Sequence, residues 1–158
     1  MRPSRPDTTV SDTTPTTASL GADDLRRIAR ASREAQAAQQ GECECASLRC
    51  VGWESVPASF ETRRLVRLGR IASARDDDPY AETTLAEHHP GGTHYGSPDA
   101  PIATGHFPAN RSEVWACADC GRAFLRYTEY GGYYVDHRIR ELDEALIVET
   151  APPPPDAA

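Results

Sequence analysis

Apolar residues recur along this chain with changing period, and each change marks a change of element. Up to residue 21 Thr, Pro, Ser and Asp predominate, with too little apolar side chain to pack, so residues 1–21 are expected to form a disordered tail. Over residues 22–40 Leu25, Ile28, Ala29 and Ser32 fall on one helical stripe, Asp23 and Asp24 stand in the first turn, and Gly41 follows as a stop. That pattern predicts a thinly apolar, solvated lead-in helix. Leu65, Val66, Leu68 and Ile71 form a short run interrupted by Gly69, which suits a strand better than a helix. The interleaved Arg63, Arg64, Arg67 and Arg70 read as its wet side.

Residues 76–112 are punctuated by Asp76-Asp77-Asp78-Pro79, His89-Pro90-Gly91-Gly92, Ser97-Pro98-Asp99-Ala100-Pro101 and Phe107-Pro108, which force turns and extended pieces. Tyr80, Leu85, Tyr95, Ile102 and Phe107 are expected to hold this excursion against a sheet. It also carries His88, His89, His94 and His106. With no thiol or carboxylate at a recognisable ligand spacing, these are read as ordinary loop histidines.

From Glu113 onward the alternation is clearest. Val114 to Ala116, Ala123 to Tyr130, and Tyr133 to Val135 after the Gly131-Gly132 turn predict three antiparallel strands. Tyr127, Tyr130, Tyr133 and Tyr134 are cross-strand partners or a contact surface. Ile139, Leu142 and Leu146, at helical spacing, predict a short closing helix before a Pro-rich disordered tail at 149–158. The expected architecture is α+β, a single domain over 22–148 with a small antiparallel sheet between an N-terminal and a short C-terminal helix.

Composition narrows the function. A chain of 158 residues that is 39% hydrophobic can bury one modest core. Its net charge of −7, from 24 acidic and 17 basic residues with every basic residue an arginine, disfavours nucleic acid and favours a basic protein partner. No run of about 18 apolar residues is available to cross a membrane, and no apolar core of an export signal precedes residue 22, so a cytoplasmic location is expected. In that reducing setting five cysteines, an odd number, suggest metal ligands plus a spare rather than disulfides.

Cys117 and Cys120, separated by two residues and followed by Gly121, have the spacing of half a tetrahedral Zn2+ site on a β-hairpin. Cys45 and Cys50 are the first choice to complete it, with Cys43 as substitute. The C-x-C pair Cys43 and Cys45 can equally bind together and leave Cys50 as a buried hydrophobe. Four thiolates fill zinc's coordination sphere, so such a site is structural and no catalytic residue is assigned. A redox dithiol and an iron-sulfur cluster are competing uses of the same thiols, although Cys117-Ala118-Asp119-Cys120 lacks the proline of thioredoxin-type motifs.

Two resemblances bear on activity. C-x-x-C-Gly followed by Tyr133-Tyr134-Val135-Asp136-His137 resembles the first half of HNH nucleases, which implies a metal ligand and a general base at Asp136 and His137. No Asn or His follows His137 to build the second half. The zinc-knuckle hairpin with Leu125-Arg126-Tyr127-Thr128-Glu129-Tyr130 after it also looks like small bacterial zinc-knuckle proteins, among them immunity proteins of polymorphic toxins. That resemblance implies a non-enzymatic protein that occupies a toxin's basic cleft with acidic and aromatic residues, here Asp76 to Asp78, Glu82, Glu87 and the tyrosines of 127–134. The alternatives are an HNH-like metal-dependent hydrolase and a zinc-ribbon regulator that touches nucleic acid through its arginines.

Overall fold

A computed structural model describes residues 18–48, 50, 52–73, 80 and 83–153. Its centre is a six-stranded sheet. In chain order the strands are β1 (Ser19–Leu20), β2 (Glu54–Ser55), β3 (Leu65–Ile71), β5 (Glu113–Cys117), β6 (Ala123–Tyr130) and β7 (Val135–Glu141), arranged β1-β3-β5-β6-β7-β2. All neighbours are antiparallel except β1 and β3. A second, parallel pair joins β4 (Ile102–Ala103) to β8 (Ile147–Val148). The helix α1 runs over Ala22–Ala38, and the remaining helical pieces among the described residues are short 3-10 turns. The α+β class read from the sequence is the class observed.

Strand alternation splits the core into two layers. Val114, Leu125 and Tyr127 face α1 and join Leu25, Ala29, Ile71, Ile102 and Ile147 in one cluster. Leu65, Phe124 and Ile139 face the other way, where Leu48 and four of the cysteines meet them. The helix is therefore more than a solvated lead-in. Leu25 is fully buried, and the Ser32 hydroxyl accepts the N–H of Ala123, fixing α1 to the first residue of β6. In its first turn the Asp24 carboxylate reaches back and accepts from the Gly21 N–H.

Several boundaries shift for identifiable reasons. Regular structure begins at Ser19, ahead of the expected boundary at 22, because Leu20 packs beside Ile71 in the core; residues 1–17 lie outside the described residues. Gly69 lets β1 come close, since a Cβ there would meet the Ala18 carbonyl oxygen at 2.5 Å. The expected C-terminal helix is not formed. Ile139 belongs to β7, paired with Arg126, and three residues on along an extended chain Leu142 falls into the opposite core layer. Only a 3-10 turn, Glu144–Leu146, follows, with the Asp143 carboxylate accepting from the Ala145 N–H.

The excursion after β3 packs in part as expected. Ile102 is buried, and Tyr95 and Phe107 close on Tyr127, which also meets Trp53 edge-on at 5.0 Å. Tyr127 is thus core rather than contact surface. Tyr80 and Leu85, by contrast, are exposed. Residues 74–79, 81 and 82 lie outside the described residues, as do 154–158 of the expected C-terminal tail. The segment that is described stays ordered by contact beyond 148, where the Thr150 hydroxyl accepts from the Gly105 N–H.

Because Leu25 is fully buried in the cluster between α1 and the sheet, Leu25→Ala is expected to lower unfolding free energy by about 2–5 kcal/mol. Urea denaturation followed by circular dichroism measures it, and a loss confined to helical signal without a shift of the global midpoint contradicts it.

Candidate metal centre

The two ends of β5 and β6 meet in a tight knuckle. Cys117 ends β5, the Gly121 N–H donates to the Cys117 carbonyl at 2.9 Å, and the Cys117 N–H donates to the Arg122 carbonyl at 2.9 Å. Gly121 adopts φ +78°, where a side chain would be strained, as its place after C-x-x-C predicts. The turn aims amide groups at sulfur: those of Cys120 and Asp119 reach Cys117, and that of Arg122 reaches Cys120. Such donors favour thiolates over thiols.

Opposite the knuckle, the chain leaving α1 coils through a 3-10 turn at Glu44–Leu48. This turn delivers Cys43 and Cys45. The sulfur atoms of Cys43, Cys45, Cys117 and Cys120 all lie within 4.8 Å of one another, with 3.2 Å between Cys45 and Cys120 and 3.7 Å between Cys43 and Cys117. Sulfurs bound to zinc at about 2.3 Å in a tetrahedron stand about 3.8 Å apart, so these four thiols lie close enough to hold one metal ion. Cys45, Cys117 and Cys120 are buried, and all five cysteines are free.

Cys50, one of the two first choices from sequence, lies outside this group. Its N–H donates to Leu48 and its carbonyl accepts from the Glu141 N–H, so its backbone is stitched to β7 while the thiol sinks into the core. Burial, helped by a hydrogen bond to Glu54, pushes its pKa up to about 12. It is the buried hydrophobe of the alternative reading, and the C-x-C pair stands in its place.

The thiols differ in protonation. Burial pushes Cys45 and Cys117 up, Cys45 also through the neighbouring sulfurs. Burial acts in the same direction on Cys120, but the Arg122 N–H, Cys45 and Gln36 outweigh it and bring Cys120 down to about 7.

Two residues that spacing did not single out hold the halves together. Arg64, in the 3-10 turn Thr62–Arg64 just before β3, reaches Glu44 inside the C-x-C pair at 2.6 Å and Asp119 inside the C-x-x-C pair at 3.3 Å, while its carbonyl accepts from the Ala118 N–H. These ion pairs are solvent-accessible and are worth roughly 0.2–1 kcal/mol each. From α1, Gln36 donates to the Cys120 carbonyl and sulfur at 3.3 and 3.6 Å, and its amide oxygen accepts from Arg122 at 2.9 Å. The available signal was an arginine cluster facing acidic residues that sit between ligands. The cluster resolves into pairs, Arg63 with Glu61 and Arg67 with Glu113.

The remaining candidates stand apart. Among the described residues the four thiols are the one group of three or more His, Cys, Asp or Glu able to hold a metal. Asp136 accepts from the Ser55 hydroxyl and pairs with Arg138, whereas His137 contacts Thr128. His89 lies between Thr93 and Glu87, His106 bonds Thr150 and meets the His88 ring in a tilted contact at 4.7 Å, and His94 accepts from the Gly96 N–H. No protein-family profile matches the chain, and no curated protein or solved structure matches it.

Substitution separates the thiols. Cys50→Ser is expected to keep one Co2+ per chain with intense sulfur-to-cobalt charge-transfer absorption, and Cys43→Ser, Cys45→Ser, Cys117→Ser or Cys120→Ser to weaken both. Loss of cobalt from Cys50→Ser alone contradicts the assignment. Acid should release the metal, because each ligand must shed its proton to bind. Cys120 is a thiolate above about pH 7 and regains its proton as pH falls through that value. Competition titrations should therefore show cobalt affinity falling as the pH is lowered, and more steeply below about 7.

Proposed function

We propose that this chain is a zinc-stapled, non-catalytic protein of the cytoplasm that works by binding another protein, and that the partner is a toxin-like enzyme with a basic cleft. The observation that carries the first part is the closed set of four sulfurs. Soft thiolates in a tetrahedron suit zinc, and four of them leave no position for a water or substrate. An ion held in this way ties residues 43–45 to 117–120 and supplies folding energy, with no Lewis-acid role.

Support for partner binding comes from the hairpin between β6 and β7. Tyr130, Tyr133, Tyr134 and Val135 are all more than half exposed at its tip. Glu129 and Asp136 flank them, held by Arg138, and the Tyr134 hydroxyl donates to Glu129 at 3.1 Å. Grouped aromatic residues beside fixed carboxylates match what a basic cleft accepts, and tyrosine is favoured at interface hot spots. Glu87 bonds His89 at some distance along the chain, and Asp76 to Asp78 and Glu82 lie outside the described residues.

A growth assay tests this reading. A toxin-like gene encoded beside this one should arrest growth when expressed alone, and co-expression of this chain should restore it. Tyr130→Ala combined with Tyr133→Ala should lower affinity for the purified toxin by about tenfold or more while leaving one zinc per chain. Full neutralisation by the double variant overturns the assigned surface, and absence of neutralisation by the natural chain overturns the toxin partner.

A further inference from the structure

Between α1 and the C-terminal end of β7 lies a cavity of about 380 Å3. Its walls are apolar at Ala29, Leu142 and Leu146 and basic at Arg33, Arg122 and Arg140. That volume lies in the range of small-molecule sites, which combine apolar lining with a few convergent polar groups.

Arg140 distinguishes the cavity from an accidental groove. The residue is 2% exposed, so its guanidinium has left bulk water. It donates through Nη2 to the Ala100 and Pro98 carbonyls, its Nε has no partner, and among the described residues no carboxylate forms an ion pair with it. Asp143 and Asp99 act on it only through space, and burial lowers its pKa. By contrast the other two arginines are matched, Arg33 to Glu144 at 3.2 Å and Arg122 to Glu141 at 3.4 Å. A buried cation is ordinarily paired, because an uncompensated one is strongly destabilising. Here the acidic groups nearby act only through space, so among the described residues its charge is balanced by no direct ion pair.

We propose that the cavity binds a small monocarboxylic acid, with the carboxylate taken by Arg140 and the apolar body by Ala29, Leu142 and Leu146. A guanidinium attracts a carboxylate through charge-assisted hydrogen bonds from those of its N–H groups that the Ala100 and Pro98 carbonyls leave free. Glu141, Asp143 and Glu144 stand round the same cavity. Glu141 and Glu144 are already matched to arginines, so a single carboxylate is enough to neutralise Arg140 and a second negative charge would be left uncompensated beside Asp143. The site is independent of the metal centre in its chemistry, although Gln36 and Arg122 belong to the surroundings of both.

Phenylacetate, phenylacetamide and inorganic phosphate serve as probes on the purified full chain, by calorimetry and by 1H–15N spectra that include arginine side-chain resonances. Phenylacetate should saturate with a Kd below about 1 mM, bind at least about tenfold more tightly than the neutral amide, and shift the Arg140 Nε–H signal. Arg140→Met should abolish this difference between acid and amide. The amide comparison and the arginine resonance are read on the unsubstituted chain, so the test stands even if the variant misfolds. Equal binding of acid and amide, phosphate binding as tight as phenylacetate, an unmoved Arg140 signal, or no saturation overturns the proposal.

Discussion

Everything in this molecule is arranged around the meeting of two sulfur pairs that lie more than seventy residues apart in the chain, Cys43 with Cys117 and Cys45 with Cys120. Sulfurs at 3.2 to 3.7 Å have no strong attraction of their own. What brings them together is the geometry on either side: a knuckle whose amides point at sulfur, and a 3-10 turn that coils the upstream cysteines over it. The lower core layer then consists of thiols surrounded by Leu48, Leu65, Phe124 and Ile139. A small protein with few aromatic residues gains cohesion there that side-chain packing alone supplies poorly.

The sheet transmits this constraint to the rest of the fold. β6 is shared by both layers, presenting Phe124 to the thiols and Leu125 and Tyr127 to the helix side. Gln36 adds a second route, since it joins α1 to the Cys120 sulfur and to Arg122. The metal centre and the helix are therefore held to one another through backbone pairing as well as through side chains.

The sequence shows local features well and distant pairings poorly. Leu25, Ala29 and Ser32 announced the helix, and the alternation from Val114 to Tyr130 announced two strands, because each depends only on neighbouring residues; the third, expected over Tyr133 to Val135, runs over Val135–Glu141, with Tyr133 and Tyr134 in the turn. Gly121 announced the knuckle for the same reason. The choice between Cys43 and Cys50 was not legible, since it depends on how residues 44–48 coil and on the Cys50 carbonyl finding β7. Arg64 and Gln36 contribute through partners far away in the chain, and no spacing rule reveals that. Ile139 and Leu142 illustrate the reverse error: residues three apart look helical when counted, yet in an extended chain they serve two different layers.

Closing a loop between residues 45 and 117 also sets what the intervening segment is free to do. The entropy lost on closure grows only with the logarithm of length, so doubling the enclosed segment adds about 0.6 kcal/mol. Chain inserted at the exposed Gly91-Gly92 turn, where nothing approaches a Cβ within 4 Å, would hardly burden the fold. This makes that stretch the natural place for grafting a foreign peptide or a fluorescent label onto an otherwise unaltered framework.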